Sequence, residues 1–284
     1  MDRPGRAVIR LIATDLDGTL LDSEGGVPEA NRRALRLALE RGVRLVLATA
    51  RKASSTAAVA SMLGLPCARI AHNGARTWDW DGIERRHFRV SLELADRIAR
   101  YADAHGLGLI TTVDEVNYYA AAARSRGLNP EDVPVRTNVE AVVAAPTRII
   151  AVGRPGIDLL CAEFSQDFDS MVLHRYYSRD GALESAVITH PRATKADALS
   201  ELCAAYAIQP AHVLALGDAE ADAEMLRWAG VGVAMGNAMR EAYAAADWIA
   251  PSHDEAGFAA AIERYVLHSP RGSAHDAAAE DPSS

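Results

Sequence analysis

The sequence predicts an α/β core with a parallel sheet, interrupted by an inserted α+β unit. Three observations predict it. Short apolar runs alternate with helical patterns from Val8 to His72, and the same rhythm returns from Thr194 to Val266. Between them the rhythm gives way to hairpin signals, with Asp-Gly turns at Asp81-Gly82 and Asp180-Gly181. Strands alternating with helices build parallel βαβ units, whereas hairpins build antiparallel sheet.

The elements follow in order. Val8–Thr14 reads as a strand buried on both faces. Pro28–Arg41 reads as a helix, with Ala30, Leu35, Leu37, Ala38 and Leu39 as its apolar stripe and Gly42 as its stop. Val43–Thr49 is a second strand, Ser54–Leu63 a second helix and Ala68–His72 a third strand. Residues 77–90 alternate around Asp81-Gly82 and read as a hairpin that opens the insertion. Ser91–His105 is helical, and Leu107–Val113 and Glu115–Ala121 are strands. Gly127, Pro130 and Pro134 make 124–140 irregular. Thr147–Val152 is a strand, Asp158–Phe168 a helix, and Ser170–Tyr177 and Leu183–Thr189 the arms of a second hairpin. Helices are then expected at Thr194–Tyr206, Glu220–Trp228, Asn237–Ala245 and Ala256–Val266. Strands are expected at His212–Leu216, Val231–Ala234 and Trp248–Ile249. Residues 268–284 lack large apolar side chains and are expected to be disordered. The expected division is therefore 1–76 and 191–267 for the core, 77–190 for the insertion and 268–284 for a tail.

Composition narrows the class. At 284 residues and 49% hydrophobic, the chain can bury a core without disulfides. Its net charge of -8 argues against a nucleic-acid partner, and the one basic cluster, RRHFR at 85–89, is expected to be a solvated face. Cys67, Cys161 and Cys203 form no CxxC pair, which disfavours zinc and disulfide frameworks and fits a reducing compartment. No apolar run approaches a membrane span, so the expectation is a cytoplasmic protein without a membrane partner. Gly230–Gly236 has one residue too many for a dinucleotide fingerprint, and neither GxxxxGK[ST] nor GxSxG occurs.

In open α/β sheets, sites form at the carboxyl ends of strands. The first strand ends in Asp15 and Asp17, one residue apart, with Gly18 and Thr19 following. Two carboxylates projecting from one strand end repel each other unless something positive sits with them. The second strand ends at Thr49 with Arg51 beyond it, and the third at Asn73-Gly74. A later strand ends in Gly217-Asp218, with Asp222 one turn on, and Lys195 opens the helix before that strand. Oxygen ligands of this kind suit Mg²⁺, which takes one or two carboxylates and binds phosphate. Asp15 and Asp218 are expected to hold it, with Asp222 behind them. Thr49 and Lys195 are expected to hold phosphate oxygens, with backbone N–H groups near Gly18 and Gly74 as further donors. One aspartate then serves as nucleophile and the other as proton donor and acceptor. His72 and His190 read first as structural histidines. Of the aromatic residues in the insertion, Trp78, Trp80, Tyr118, Tyr119, Tyr176 and Tyr177 among them, one or two are expected to line a substrate pocket.

These motifs resemble those of the haloacid dehalogenase superfamily, in particular its Cof-type phosphatases. Asp15-Leu16-Asp17-Gly18-Thr19-Leu20-Leu21 matches the first motif in full, and Leu47-Ala48-Thr49-Ala50-Arg51 resembles the second. Lys195 matches the third, and Gly217-Asp218-Ala219-Glu220-Ala221-Asp222 the fourth. Ile70–Ala75 and the run VAMGNA at 233–238 resemble segments of the Cof-type branch. The resemblance covers about residues 8–266 and implies a Rossmann-like core with a C2-type cap. It implies Asp15 as the nucleophile that becomes an aspartyl-phosphate, and Asp17 as general acid and base whose carbonyl also ligates Mg²⁺. It further implies Thr49 and Lys195 on phosphate, Asp218 on the metal, Asp222 in support, and Asn73 on phosphate or substrate. Dehalogenases of the superfamily lack an acid at the position of Asp17, so phosphoryl transfer is implied, on a small phosphorylated metabolite such as a sugar phosphate. Ala50 and Ala221 replace the usual glycine and asparagine. Ala50 would be strained if its φ were positive, and Ala221 removes an amide that could order Lys195. A phosphomutase with the same intermediate, or a binding protein for a phosphorylated metabolite, is the alternative.

Overall fold

The computed structural model describes residues 7–120, 123, 131–177 and 181–268. It contains two sheets. The first runs in the order β14-β13-β12-β1-β2-β3-β4-β5. Its parallel part comprises β1 (Leu11–Thr14), β2 (Arg44–Ala48), β3 (Ala68–Ala71), β12 (Val213–Gly217), β13 (Val231–Ala234) and β14 (Trp248–Ile249). Side chains alternate along β1: Ile12 joins one buried cluster with Leu35, Val59 and Phe258, while Leu11 and Ala13 join another with Leu199, Leu202 and Met225. Helices α1 (Glu29–Glu40), α2 (Ala53–Leu63) and α8 (Gly257–Ile262) cover the first face, and α5 (Lys195–Ala205) and α6 (Ala223–Trp228) the second. α7 (Arg240–Ala245) packs on the second face as well. That two-sided burial is why these strands read as unbroken apolar runs.

The second sheet has the order β10-β11-β9-β6-β7-β8. Its strands are β6 (Leu109–Val113), β7 (Val116–Ala120), β8 (Val133–Val135), β9 (Arg148–Val152), β10 (Val172–Tyr177) and β11 (Leu183–Thr189). Helices α3 (Leu92–Ala104) and α4 (Arg154–Glu163) bury Ile98, Ile157 and Leu160 against Leu109, Ile149 and Ile188 of this sheet. The chain passes between the sheets at two places. The Phe88 amide donates to Ala75 beside the first sheet, and the Val90 amide donates to Pro146 beside the second. Residues 190–194 make the return.

Three local expectations are corrected. The first hairpin, β4 (Arg76–Trp78) and β5 (Glu84–His87), pairs antiparallel with β3 and extends the first sheet instead of opening the insertion. Trp80 anchors it by donating Nε1–H to the Leu45 carbonyl at 3.0 Å. The basic cluster is a solvated face only in part, since Arg85 and Arg89 are exposed and Arg86 is not. Arg86 is buried and pairs with Asp197 and Glu201 of α5, Arg85 pairs with Asp79, and Arg89 with Asp114. Helix α4 starts four residues early because Pro155 fits a first helical turn and Gly153, at φ 82, makes the bend before it. Val133–Val135 forms a short strand beside β7, while 124–130 and nearly all of the expected tail lie outside the described residues. No described helix is long and apolar enough to cross a membrane.

Candidate active site

In the first sheet the strand order reverses direction at β1, which lies between β12 and β2. That switch point opens a crevice at the carboxyl ends. Asp15 sits at its base, its amide donating to the Leu216 carbonyl at 3.0 Å. The chain then turns over Leu16–Leu20, with Gly18 at φ 75. A Cβ on Gly18 would lie 2.4 Å from Asp218 Oδ2, so the turn requires glycine for both backbone and space. Thr19 donates its hydroxyl to Asp218 Oδ1 at 3.0 Å, and Asn237 donates its amide to the Gly18 carbonyl at 2.9 Å.

Lys195 is the positive group that Asp15 needs, while Asp17 takes Arg51. Thr194 caps α5 by accepting from the Asp197 amide, so Lys195 is the first helical residue. Its buried Nζ donates to Asp15 Oδ1 at 2.7 Å and to Asp222 Oδ1 at 2.6 Å. Burial works against its charge, but the two carboxylates outweigh burial and hold the ammonium well above the usual lysine range. Asp222 has both oxygens engaged, since Oδ2 accepts from the Asp218 and Ala219 amides at 3.1 and 2.9 Å. Burial pushes Asp15 up to about 7 despite Lys195, and pushes Asp218 up to about 8, with Asp15 adding repulsion.

A cation fits this set. Ligand oxygens of Asp15, Asp218 and Asp222 all lie within 4.8 Å of one another. Asp218 has one hydroxyl donor and no cationic partner among the described residues, and it is crowded against a glycine. An all-oxygen donor set of this kind suits a hard divalent ion.

The remaining predicted residues divide. Asp17, 60% exposed at its side chain, forms a two-point pair with Arg51, whose Nε donates to Oδ2 at 2.8 Å and whose Nη2 donates to Oδ1. Thr49 is buried, and its Oγ1 accepts from the Arg51 amide at 3.2 Å. Ala50 is absent from the positive-φ positions, so the strain considered for it does not arise. Asn73 has φ 57, and its side-chain amide exchanges bonds of 2.7 and 3.0 Å with the Tyr176 hydroxyl of β10. Gly74, at φ 104, packs where a Cβ would lie 2.2 Å from the Thr194 carbonyl, so it seats the start of α5. A cavity of about 1070 Å³ is bordered by Asp15, Asp17, Gly18, Thr49, Lys195 and Asp218, but not by Arg51, Asn73, Gly74 or Asp222. Three of the four touch residues that border it: Arg51 pairs with Asp17, Asn73 with Tyr176 and Asp222 with Lys195.

Other cavity residues carried a weaker sequence signal or none. Asn237 lies in the VAMGNA run, which marked the segment without marking the side chain. Arg175, Tyr176 and Tyr177 enter from β10, and His253, whose Nδ1 lies 3.1 Å from the Leu21 carbonyl, from the far rim. Only the tyrosines had been considered as pocket residues. His72 is structural: it is buried at φ 50, with Nε2 2.6 Å from Glu115 Oε1 in the β6–β7 turn. Burial lowers it to about 4, so the imidazole is neutral and donates Nε2–H, and Nδ1 has no hydrogen-bond partner.

Comparison with known proteins agrees with this geometry. The description of the haloacid dehalogenase-like hydrolases matches residues 12–262. A 5-amino-6-(5-phospho-D-ribitylamino)uracil phosphatase of Bacillus subtilis is 30% identical over 273 residues, covering 91% of this chain and 96% of the relative. A phosphoglycolate phosphatase of Methanoculleus marisnigri is 24% identical, covering 91% and 97% respectively. The fold is that of a haloacid dehalogenase-like hydrolase structure from B. subtilis, at a TM-score of 0.79 and 23% identity, covering 91% of this chain and all of that one.

Proposed function

The chain belongs to the haloacid dehalogenase-like hydrolases and is an enzyme of their Cof-type phosphatase kind; from that premise we propose that it hydrolyses small phosphomonoesters with Mg²⁺ through an aspartyl-phosphate on Asp15. The observation that carries this reading is the buried Lys195 bridge between Asp15 and Asp222, beside Asp218, which borders the same cavity as Asp15 and has no cationic partner among the described residues. We assign residues up to about 88 and from about 191 to the core, and 89–190 to the cap.

A divalent cation held by Asp15 and Asp218 would offset charge between the carboxylate and the phosphoryl group. Asp222 acts through Lys195, because both of its oxygens are engaged. Lys195 orients Asp15 through Oδ1, which leaves Oδ2 for phosphorus. Lys195 and the Thr49 hydroxyl then hold the phosphoryl oxygens. The bond from Asp15 to phosphorus forms as the ester P–O bond breaks. Asp17 gives the leaving oxygen its proton, then takes one from the water that releases phosphate. Asp17 stands on Arg51, so donation requires it to turn from the guanidinium toward the ester. The cap encloses the leaving group, and its cavity suits a metabolite better than a protein chain. The two curated relatives carry different substrates in their names; neither name selects one for this chain. The absence of a positive φ at Ala50 and the hold of two carboxylates on Lys195 without an asparagine at 221 support catalysis over the binding-protein alternative.

The test is phosphate release across a phosphomonoester panel, with Mg²⁺ and with chelator. Chelation and Asp15→Asn should each abolish turnover. Asp17→Asn should lower kcat about 10²- to 10⁴-fold. Wild-type rates in both variants would overturn the assignment.

A further inference from the structure

We infer that Arg86 is a positioning residue for Lys195: it locks the first turns of α5, and with them the lysine, to the end of β3 and to both crossings between core and cap. This deepens the phosphatase reading above and rests on it for the kinetic half of its test.

Lys195 is the first residue of α5, so its Nζ meets Asp15 and Asp222 only if that helix starts at the right place and angle. The approach to it is short. Thr189 ends β11 and Lys195 begins α5, so residues 190–194 alone join a strand of the cap to the helix that carries the buried cation of the site. Whatever fixes this segment fixes Lys195.

The β4–β5 ladder aims Arg86 at α5. Arg86 lies opposite Thr77, and Thr77 opposite Ile70 of β3. Ile70 packs in one cluster with Ala198, Leu199 and Leu202 of α5. The Arg86 guanidinium, buried on that side, makes four ties. Nη1 donates to the Gly74 carbonyl at 3.1 Å and to the Arg192 carbonyl at 3.2 Å. Nη2 pairs with Asp197 and Glu201, in the first and second turns of the helix. The ties to Arg192 and Asp197 bracket Lys195 along the chain. Gly74 completes the frame, because it packs against the Thr194 carbonyl with no room for a Cβ. A planar guanidinium presents several donors in a fixed fork, so one side chain can set all these partners relative to one another.

Both crossings rest on the same group. Phe88, at the first, lies over the guanidinium with its ring centre 4.3 Å from Cζ. His190, at the second, stacks on Phe88 at 4.4 Å. Arg192, which is exposed, adds longer contacts to Asp197 and Glu201 at 3.4 and 4.0 Å. Arg86 is thus the buried centre of the junction, and the helix start that it holds is the one that delivers Lys195.

The experiment uses the full chain and reads Lys195 directly. Lys52 and Lys195 are the two lysines of the sequence, and both are buried. Acetylation by an N-hydroxysuccinimide ester, followed by mass spectrometry, therefore reports each against the other. In Arg86→Gln the rate at Lys195 should rise at least about tenfold relative to Lys52, as the helix start opens locally. With Mg²⁺, kcat should fall about 10- to 100-fold for every ester of the panel alike, because misplacement falls on the transferred group that all share. KM should change less, since the wall around the leaving group is untouched. Arg86→Lys should regain part of both. Asp197→Asn removes one tie from its solvent side; it should show the same pattern in smaller measure, and it decides the matter if Arg86→Gln does not fold. A purely structural arginine would lower stability without singling out Lys195. Wild-type kcat, an unchanged rate at Lys195, or an equal rise at both lysines would therefore overturn the inference. Absence of hydrolysis of every ester by the wild type, beside a selective rise at Lys195 in the variant, would remove the phosphatase reading and leave the positioning intact.

Discussion

Lys195 is placed against helix electrostatics, since a cation in the first turn opposes the helix dipole. It is held there by two carboxylates, and each is buried because the lysine is. Lys195→Met should therefore do more than slow turnover. It leaves Asp15 and Asp222 adjacent and unpaired in a buried site, and loss of one partner from such a cluster costs about 3–5 kcal/mol. Urea unfolding without metal should show that loss, and added Mg²⁺ should restore part of it. Gly18→Ala tests the neighbouring constraint. The new methyl group would meet Asp218 Oδ2 at 2.4 Å at a positive φ, so Asp218 must move. Half-maximal activity should then need at least about tenfold more Mg²⁺, with a 1.4 kcal/mol loss of site affinity for each factor of ten. At this scale the sequence was informative where chemistry follows an apolar run. Asp15, Thr49, Lys195 and Asp218 stand at strand ends or a helix start, and folding brings them together. Which tyrosine of β10 reaches Asn73 was not legible, because which side of β10 meets the site depends on pairing with β11 and on the cap's seat over the core, and neither is local.

The elements show a second kind of limit. The β4–β5 hairpin was readable as a hairpin but not as part of the core sheet, because its attachment depends on Trp80 reaching Leu45 and Arg86 reaching α5, contacts distant in sequence. The β6–β7 turn behaves alike. Asp114 and Glu115 are both at positive φ, 44 and 73, and this tight turn delivers Glu115 to the core. There it accepts from His72, from Arg76 at 2.9 Å and from the Ser54 amide at 3.2 Å, at the start of α2. Burial would raise Glu115, but the bonds from His72, Ser54 and Arg76 hold it at about 2. This latch makes the protein acid-sensitive in two windows. His72 is depressed from 6.5 to about 4 in the fold, so the unfolded chain takes the proton first and stability falls as pH drops through that interval. Glu115 stabilises the fold above 4.5, and that contribution is lost as pH falls toward 2. His72→Gln keeps a donor for Glu115 but does not titrate. Thermal melts should show the variant losing less stability than the wild type between pH 6.5 and 4, the difference being the His72 share, since His174, also lowered to about 4 by burial, titrates in both; both should lose the Glu115 contribution below 4.5. An equal decline in both proteins over the upper interval would exclude His72 as its source.

At the scale of the whole molecule, the cap meets the core at the loops that carry the site. Tyr176 reaches Asn73 after β3, Glu115 reaches His72 and Ser54, and Arg148 of β9 donates to the Ala50 carbonyl at 2.8 Å, between Thr49 and Arg51. Arg148 is itself buried, and its Nε donates to Thr112 on the neighbouring strand at 3.2 Å, so the second sheet grips the loop after β2 directly. The cap's position is thereby coupled to Thr49 on one side of Ala50 and to the Arg51–Asp17 pair on the other. Arg148→Met removes the donor while filling much of the volume. It leaves the Ala50 carbonyl without its partner, a loss of about 1–3 kcal/mol in stability. Amide exchange should quicken at residues 50–54 and in β9, while the parallel strands β1 and β12 stay protected. If the coupling carries to the chemistry, kcat/KM should fall about tenfold for esters with leaving groups large enough to fill the cap wall, and less for the smallest ester. A fall of equal size for every ester, with exchange at 50–54 unaltered, would mean that Arg148 supports the second sheet alone and that the loop after β2 holds its shape without the cap.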